Sequence, residues 1–419
     1  MKILWLCNIV PGPVRQALGG SPDSGMWVEH VLSGIRGRGS VSLRLLCMGG
    51  NASGKLEDGT EYALFTEKKA YAYDPGLEEW FSQQLREFQP EVIHIWGTEY
   101  GHCLAMVNAA EKLGLTSRVA ISIQGLVGIC ARHMAEGLPP RVCQGKTFRN
   151  FLKRDSILRQ QRDFKIRGDM ERKALEKVSH VLGRTDWDRA ITGQYNAGRV
   201  YHFCNETLRQ SFYQGNWRYD TCQKHHIFAP SCVYPVKGFH YLLEAFAIVL
   251  ERFPDATLSV TGHSFFPSGR KERLRQSYYF RYLERFCREH GLTDKIQFLG
   301  DLNAEGMKQA YLRANVFALP STIENSPNSL GEAMLLGVPC VAADVGGVTN
   351  LMRPGEGYVY QSTAPYMLAH YIMAVFAQEE GAQQMGQFAR EHALRTHDPE
   401  QNLETLLKVY QEVAGEEAI

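Results

Sequence analysis

The hydrophobic pattern of this chain alternates between two periods. Short runs of consecutive apolar residues at 2–7, 42–47, 92–96, 118–123 and 178–182 read as strands that are apolar on both faces. A strand of that kind belongs in a parallel sheet with helices on either side. Between the runs the period becomes helical: Trp27, Val28, Val31, Leu32 and Ile35 share one face, as do Leu104, Val107 and the stretch 110–113. The second half repeats the plan, with strands at 226–229, 257–261, 296–299, 316–319, 339–343 and 358–360. Its clearest helix spans 239–251 and turns Leu242, Leu243, Phe246 and Val249 inward; Met307, Tyr311 and Leu312 mark a shorter one. Two consecutive βα arrays predict an α/β protein of two doubly wound, Rossmann-like domains, with ligands at the carboxyl ends of the strands. A polar and aromatic stretch at 204–221 separates the arrays, giving domains at 1–210 and 211–390. The tail, 391–419, reads as helical with a break near Pro399. Beyond it Leu403, Leu406, Leu407 and Tyr410 share a face that can pack on either domain.

Composition narrows the class. At 419 residues the chain exceeds what one core usually organises. Apolar residues at 44% and charged residues at 22% are ordinary globular usage, which excludes disorder and fibrous repeats. Lys and Arg number 46 against 45 Asp and Glu, so no whole-molecule field favours nucleic acid as a partner. The ten cysteines are scattered without CxxC pairs or His and Cys clusters, which argues for reduced thiols in a cytosol and against a bound metal. The apolar start of the chain runs into Pro11-Gly12-Pro13 without a small-residue cleavage site and reads as a first buried strand, not a signal peptide. The most apolar later stretch, 241–250, contains Glu244 and is too short to span a bilayer, so no transmembrane helix is expected.

Candidate chemistry concentrates after the strand at 316–319, in Ser321-Thr-Ile-Glu324-Asn-Ser-Pro327-Asn-Ser-Leu-Gly-Glu332-Ala333. Pro327 suits a first helical position, because its missing N–H would have no partner there anyway. The backbone N–H groups of Asn328, Ser329 and Leu330 then point out of the helix start, a ready site for pyrophosphate. Glu332, a turn further in, can sit beside phosphate by accepting hydrogen bonds from neutral hydroxyls such as a ribose diol. Glu324, with Asn325 and Ser326 beside it on the loop, reaches past the phosphates to a sugar. The plainer alternative is two surface glutamates flanking an ordinary βα turn, which leaves Pro327 and Gly331 unexplained.

The spacing of Glu324 and Glu332 inside Ser-x-x-Glu-x-x-Pro-x-x-x-x-Glu-Ala, in a strand-loop-helix context, resembles the donor-site signature of family four retaining glycosyltransferases of the bacterial polysaccharide type. The resemblance is strong over 227–357 and loose over the first half. It implies the GT-B architecture, two Rossmann-like domains facing across a cleft. It also implies metal-independent hexosyl transfer with retention, from a nucleoside diphosphate sugar to a hydroxyl acceptor, with no cofactor beyond that co-substrate. Pro230-Ser-Cys-Val-Tyr-Pro-Val-Lys237-Gly looks like the family's loop before the first helix of its C-terminal domain, where Lys237 would neutralise the leaving diphosphate. Lys237 and Glu324 are thus the implied catalytic pair, and Gly262, after the strand at 257–261, joins the donor-binding set. The family usually adds an arginine several residues before the lysine. Ser231 and Cys232 stand in that stretch here, so either Arg184 compensates or the diphosphate is held less tightly.

On the acceptor side, Leu18-Gly-Gly-Ser-Pro-Asp-Ser-Gly25 is no dinucleotide fingerprint, but it resembles the family's glycine-rich loop, with Gly25 the best single candidate. Two further segments end strands in the same domain, one carrying Glu99 and His102 and the other Gln124. Glu99 and His102 are acceptor candidates; Gln124 stands where family members often carry a histidine. His94, inside an apolar strand, reads as a satisfied core histidine. Asp186-x-Asp188 resembles a metal-binding DxD, but these acids follow a strand and open a helix, where Thr185 or Asp186 is a natural cap.

Residues 141–173, bounded by Arg141 and Lys173, hold eleven Lys or Arg against four Asp or Glu, interleaved with Phe148, Phe151, Leu152, Ile157, Leu158, Phe164 and Ile166. Such a stretch can rest on an anionic membrane or cover an acceptor cleft as a solvated insertion. The aromatic stretch 278–286 carries the same two readings, with helix packing favoured. The sequence therefore points to a cytoplasmic glycosyltransferase, peripheral at the inner face of the membrane if the basic stretch touches lipid. Its partners would be a nucleotide-sugar donor and a saccharide or lipid-linked saccharide acceptor, for cell-surface polysaccharide or glycolipid synthesis. The alternatives are a non-catalytic nucleotide-sugar-binding homologue or partner subunit, and a transferase acting on a sugar phosphate. A Rossmann dehydrogenase is disfavoured because no dinucleotide fingerprint follows the first strand.

Overall fold

The structure, a computed structural model, describes residues 1–21, 28–69 and 71–415. It divides into two compact units, one of Met1–Ile129, Asp163–Arg209 and His397–Ile419, the other of Cys130–Arg162 and Gln210–Thr396. These are not the contiguous spans 1–210, 211–390 and 391–419 expected from the sequence. Residues 130–162 belong with the second unit and the last helix with the first, in each case because of contacts made far along the chain.

The first unit is built on β1 (Lys2–Cys7), β2 (Ser42–Met48), β3 (Ser53–Lys55), β4 (Glu61–Phe65), β5 (Val92–Trp96), β6 (Val119–Ser122), β7 (His180–Gly183) and β8 (Val200–Phe203). The order across the sheet is β3-β4-β2-β1-β5-β6-β7-β8, parallel except for β3. Alternation along β1 explains why it reads as uniformly apolar: Ile3, Trp5 and Cys7 enter one core, Leu4 and Leu6 the other. Helix Pro399–Ala414 covers the face bearing Trp5, burying Leu403, Leu406, Val409, Tyr410 and Val413. The Tyr410 hydroxyl accepts from Trp5 Nε1 at 2.9 Å and lies 2.5 Å from His94 Nδ1, while His94 Nε2 lies 2.7 Å from Ser122 Oγ. The consistent assignment has Tyr410 donating to Nδ1 and Nε2–H donating to Ser122. His94 is therefore a satisfied core histidine, and burial depresses its pKa to about 3. Asp188 is likewise structural: fully buried, it accepts from the Arg184 amide and the Tyr201 hydroxyl, while Thr185 caps the helix Asp186–Tyr195.

The second unit is a six-stranded parallel sheet of β9 (His226–Ala229), β10 (Thr257–Val260), β11 (Ile296–Phe298), β12 (Val316–Leu319), β13 (Cys340–Asp344) and β14 (Tyr358–Gln361). Its order is β11-β10-β9-β12-β13-β14, so the chain reverses direction across the sheet between β9 and β12. At such a switch point the loops leaving two adjacent strands diverge and leave a crevice, the usual ligand position in open α/β sheets. Residues 130–162 are fixed to this unit by named bonds. His240 Nε2 meets the Glu136 carbonyl at 3.0 Å, Thr147 donates to the Gln276 carbonyl at 2.8 Å, and Asn150 Oδ1 accepts from the Tyr278 amide at 2.8 Å.

All eleven expected strands are present within a residue or two, and β3, β4 and β8 are additional. β3 is an exposed three-residue edge and β8 a half-exposed one, so neither carries the apolar run that marks a doubly covered strand. The tail forms two helices, Glu379–Thr396 and Pro399–Ala414, with the break at Pro399. Among the described residues no helix is long and apolar enough to cross a membrane.

Candidate functional site

In the second unit the loops leaving β9 and β12 meet. Thr322 donates its amide to the Val236 carbonyl at 2.9 Å, and Gly238, at φ +63°, passes so close to the second loop that a Cβ there would lie 1.7 Å from the Pro320 carbonyl oxygen. Only glycine fits that crossing. It brings Lys237 Nζ to 2.6 Å from Glu324 Oε1, and Ser321 Oγ donates to the same oxygen at 2.7 Å. The Glu324 carbonyl is held in turn by the Gly347 amide at 3.2 Å, and a Cβ on Gly346 would strike it. Burial opposes the charge on Lys237, but the field of Glu324 and its hydrogen bond outweigh burial and raise the ammonium's pKa. Half-buried Glu324 and Lys237 thus form a preset ion pair at the switch point.

Helix Asn328–Leu336 begins just beyond, with Pro327 as its cap rather than its first helical residue. The Leu330 amide, expected to face a ligand, instead donates to the Pro327 carbonyl at 3.0 Å, and Gly331 does so at 3.2 Å. Asn328 and Ser329 precede that first internal bond, where a helix has no intrahelical acceptor for its amides. Asn325 and Ser326 are buried in the turn. Glu332 is also buried, 3.5 Å from the Tyr311 hydroxyl, which donates to the Ser329 carbonyl at 2.9 Å. Gly262, at φ +95°, exchanges two backbone hydrogen bonds with Gly300 and neighbours Val233 of the β9 loop. Cys232 is fully buried and Ser231 accepts from the Val233 amide, so neither replaces a cation.

Arg184 lies in the first unit. Its guanidinium is buried 2.8 Å from Glu206. Glu206 also accepts from Gln124 Nε2. The first unit has its own switch point between β1 and β5, where a cavity of about 340 Å³ is lined by Asn8, Trp96, Glu99, Gln124, Phe164 and Arg167 among others. Asn8 organises its floor, donating to Glu99 Oε2 at 2.9 Å while its Oδ1 lies 2.7 Å from His102 Nε2. His102 is 1% exposed and supports the cavity from beneath instead of lining it. Burial raises the Glu99 carboxyl to about 7 against the opposing field of Arg167, whose guanidinium stacks on Tyr100 and Phe164. Behind it Glu171 is pushed to about 8 by burial, although Thr98 and the amides of Val127 and Gly128 bond to it. Gly25 lies outside the described residues. Among them, His180, His202 and Glu412 place ligand atoms within 4.8 Å of one another, the one group close enough to hold a metal ion.

Residues 224–392 match the family model "Glycosyl transferases group 1". This segment is therefore similar to the glycosyl transferases of group 1. It contains Lys237, Gly262, Glu324 and Glu332, and none of the cavity in the first unit. D-inositol 3-phosphate glycosyltransferase of Corynebacterium diphtheriae is 34% identical over 158 residues, 38% of this chain and 35% of that one. The chain spans less than half the length of the curated relatives it matches. Over its whole length the fold resembles sucrose-phosphate synthase from Thermosynechococcus elongatus, with a TM-score of 0.70, 15% identity and 99% of each chain covered. Anabaena HepE in complex with UDP-glucose gives 0.66 at 17% identity, covering 98% of this chain and 100% of that one. The fold is that of GT-B glycosyltransferases, and the segment matched by the family model lies within the second unit.

Asn8, Ser321, Tyr311 and Arg167 take part in these sites without having been expected. Asn8 carried a signal, a polar residue ending an otherwise apolar first strand at a carboxyl edge. Ser321 is part of the quoted motif, and only the fold shows that its hydroxyl bonds Glu324.

Proposed function

We propose that this chain is a retaining, metal-independent glycosyltransferase that moves a hexosyl unit from a nucleoside diphosphate sugar to an acceptor hydroxyl. The observation that carries the reading is the Lys237–Glu324 pair at the switch point within the segment similar to glycosyl transferases of group 1. A diphosphate arriving there meets an ammonium with three donors, able to keep Glu324 while binding phosphate, and the amides that start helix Asn328–Leu336. Glu324 would position the sugar and Glu332 read the ribose. As the glycosidic C–O bond breaks, Lys237 and the helix start stabilise charge on the departing diphosphate, and the acceptor oxygen attacks from the same face. The cavity holding Glu99 and Gln124 takes the acceptor, a saccharide or lipid-linked saccharide of cell-surface polysaccharide or glycolipid synthesis. None of the ten cysteines is in a disulfide, which supports work in a reducing cytoplasm.

The test is thermal shift with UDP, GDP, ADP and their sugar conjugates, with chelator present, on wild type and Lys237→Ala. Binding to the native state raises the melting temperature by mass action, worth about 2.7 kcal/mol at a hundredfold excess over Kd. A selective shift lost in the variant is the expected result, and the anomeric configuration of the product by NMR then decides retention. Shift without turnover on any acceptor would favour a non-catalytic nucleotide-sugar binder, a reading supported by Ser231 and Cys232 in the place of the usual arginine. No shift with any nucleotide would sink both.

A further inference from the structure

We propose that the second unit carries a docking surface for an anionic lipid bilayer, assembled from residues 141–162 and 268–289. The first observation is charge. These two stretches hold fourteen Lys or Arg against four Asp or Glu, a net +10 in a chain whose formal total is +1, so the rest of the molecule is acidic. The four acids are engaged locally. Asp155 pairs with Arg149, Glu284 is buried against Arg273 and Arg288, Glu289 pairs with Arg285, and Glu272 accepts from the Ser268 amide. Lys146, Lys153, Arg154 and Arg162 remain exposed to solvent.

The second observation is apolar. Five of the thirteen exposed large hydrophobic side chains among the described residues fall in these stretches, led by Phe151 at 73% and Phe148 and Leu152 at 64%. Helix Phe148–Lys153 cannot be turning them towards a core, since its buried residue is Asn150. A groove of about 580 Å³ brings Phe151, Leu152 and Leu158 together with Lys146, Arg154 and Arg162.

The third observation is that the two stretches are joined. Thr147 and Asn150 form a capping box that also bonds the Gln276 carbonyl and the Tyr278 amide, and Gly145 lies so close to the Tyr278 ring that a Cβ there would strike it. Bulky apolar groups held outward among unpaired cations match a bilayer whose headgroups are anionic and whose acyl boundary accepts Phe and Leu. A nucleic acid would use the charge but has no use for exposed leucines.

The experiment is flotation of the full chain with phosphatidylcholine vesicles, with and without phosphatidylglycerol, at low and high salt. The surface predicts binding to the mixed vesicles alone, and release as the screening length falls from about 10 Å at 0.1 M to about 3 Å at 1 M salt. The triple variant K146E/R154E/R162E should weaken partitioning by at least about a hundredfold, and F151S/L152S by about tenfold. All five positions are exposed, so melting temperatures should stay at the wild-type value and show that both variants fold. Absence of binding to the mixed vesicles, equal binding to neutral ones, or variants that bind like wild type would each overturn the proposal. Tighter binding to a mixed-sequence oligonucleotide than to vesicles, lost in the same triple variant, would reassign the surface to nucleic acid.

Discussion

Lys237 and Glu324 lie 87 positions apart in the chain and 2.6 Å apart in space, and the carboxylate sets the state of the ammonium. Glu324→Gln removes the carboxylate that holds the ammonium's pKa up. Burial then dominates, so the Lys237 pKa should fall below its wild-type value, read by NMR titration of the labelled side chain. In assays, Lys237→Ala should lower kcat by about 10²–10³, whereas Glu324→Ala should abolish transfer and leave nucleotide affinity nearly unchanged; equal loss of both in each variant would undo the division of roles. Gly238→Ala places a Cβ against the Pro320 carbonyl and strains a positive φ, worth at least about 1 kcal/mol from the dihedral alone. Denaturant unfolding should show that loss together with a weaker nucleotide-induced shift. At this scale the spacing was informative about placement, with Glu324 on the loop and Glu332 inside the helix that follows it, although Pro327 caps that helix instead of opening it. The sequence was silent where the decisive contact is a fold product: nothing local says that Arg184 would be matched by Glu206 or that the Leu330 amide would bond Pro327.

Strand legibility followed the apolar run more than the burial: half-exposed β11 was expected, whereas interior β4, opening on Glu61, was not. Strands buried on both faces advertise themselves by continuous apolar runs, and helices by their period; edge strands β3 and β8 have no such mark. Allegiance of an element to a unit was not legible at all for residues 130–162, because Thr147 finds Gln276 across 129 residues of sequence. The last helix illustrates what such distant contacts hold. Tyr410→Phe leaves the Trp5 indole N–H and His94 Nδ1 without their buried partner, a loss of about 1–3 kcal/mol. Chemical denaturation should find it, with tryptophan fluorescence reporting the change around Trp5. An unchanged midpoint would mean that water replaces the hydroxyl.

For the molecule as a whole, buried titratable groups of opposite sign shape the response to pH. Burial lowers His94 to about 3 and His226 and His240 to about 4. Unfolded, these histidines take up protons below about 6.5 while the folded ones do not, so their contribution is complete above that pH and is lost as pH falls towards 4 and 3. Glu99 and Glu171 are raised to about 7 and 8. Their contribution is complete below about 4.5 and is lost as pH rises through 7 and 8. With each group weighing up to about 1.4 kcal/mol per pH unit inside its window, stability should peak near pH 6.5 and fall on both sides, which melting curves from pH 4 to 9 would reveal. One arrangement reaches beyond equilibrium. The ribosome delivers Tyr410 only after the whole of 210–396, yet the face of the first sheet that carries Trp5 needs Tyr410 to close. The first unit is therefore the later one to finish during synthesis, and the nascent chain carries a bare apolar face, open to premature association, until helix Pro399–Ala414 emerges.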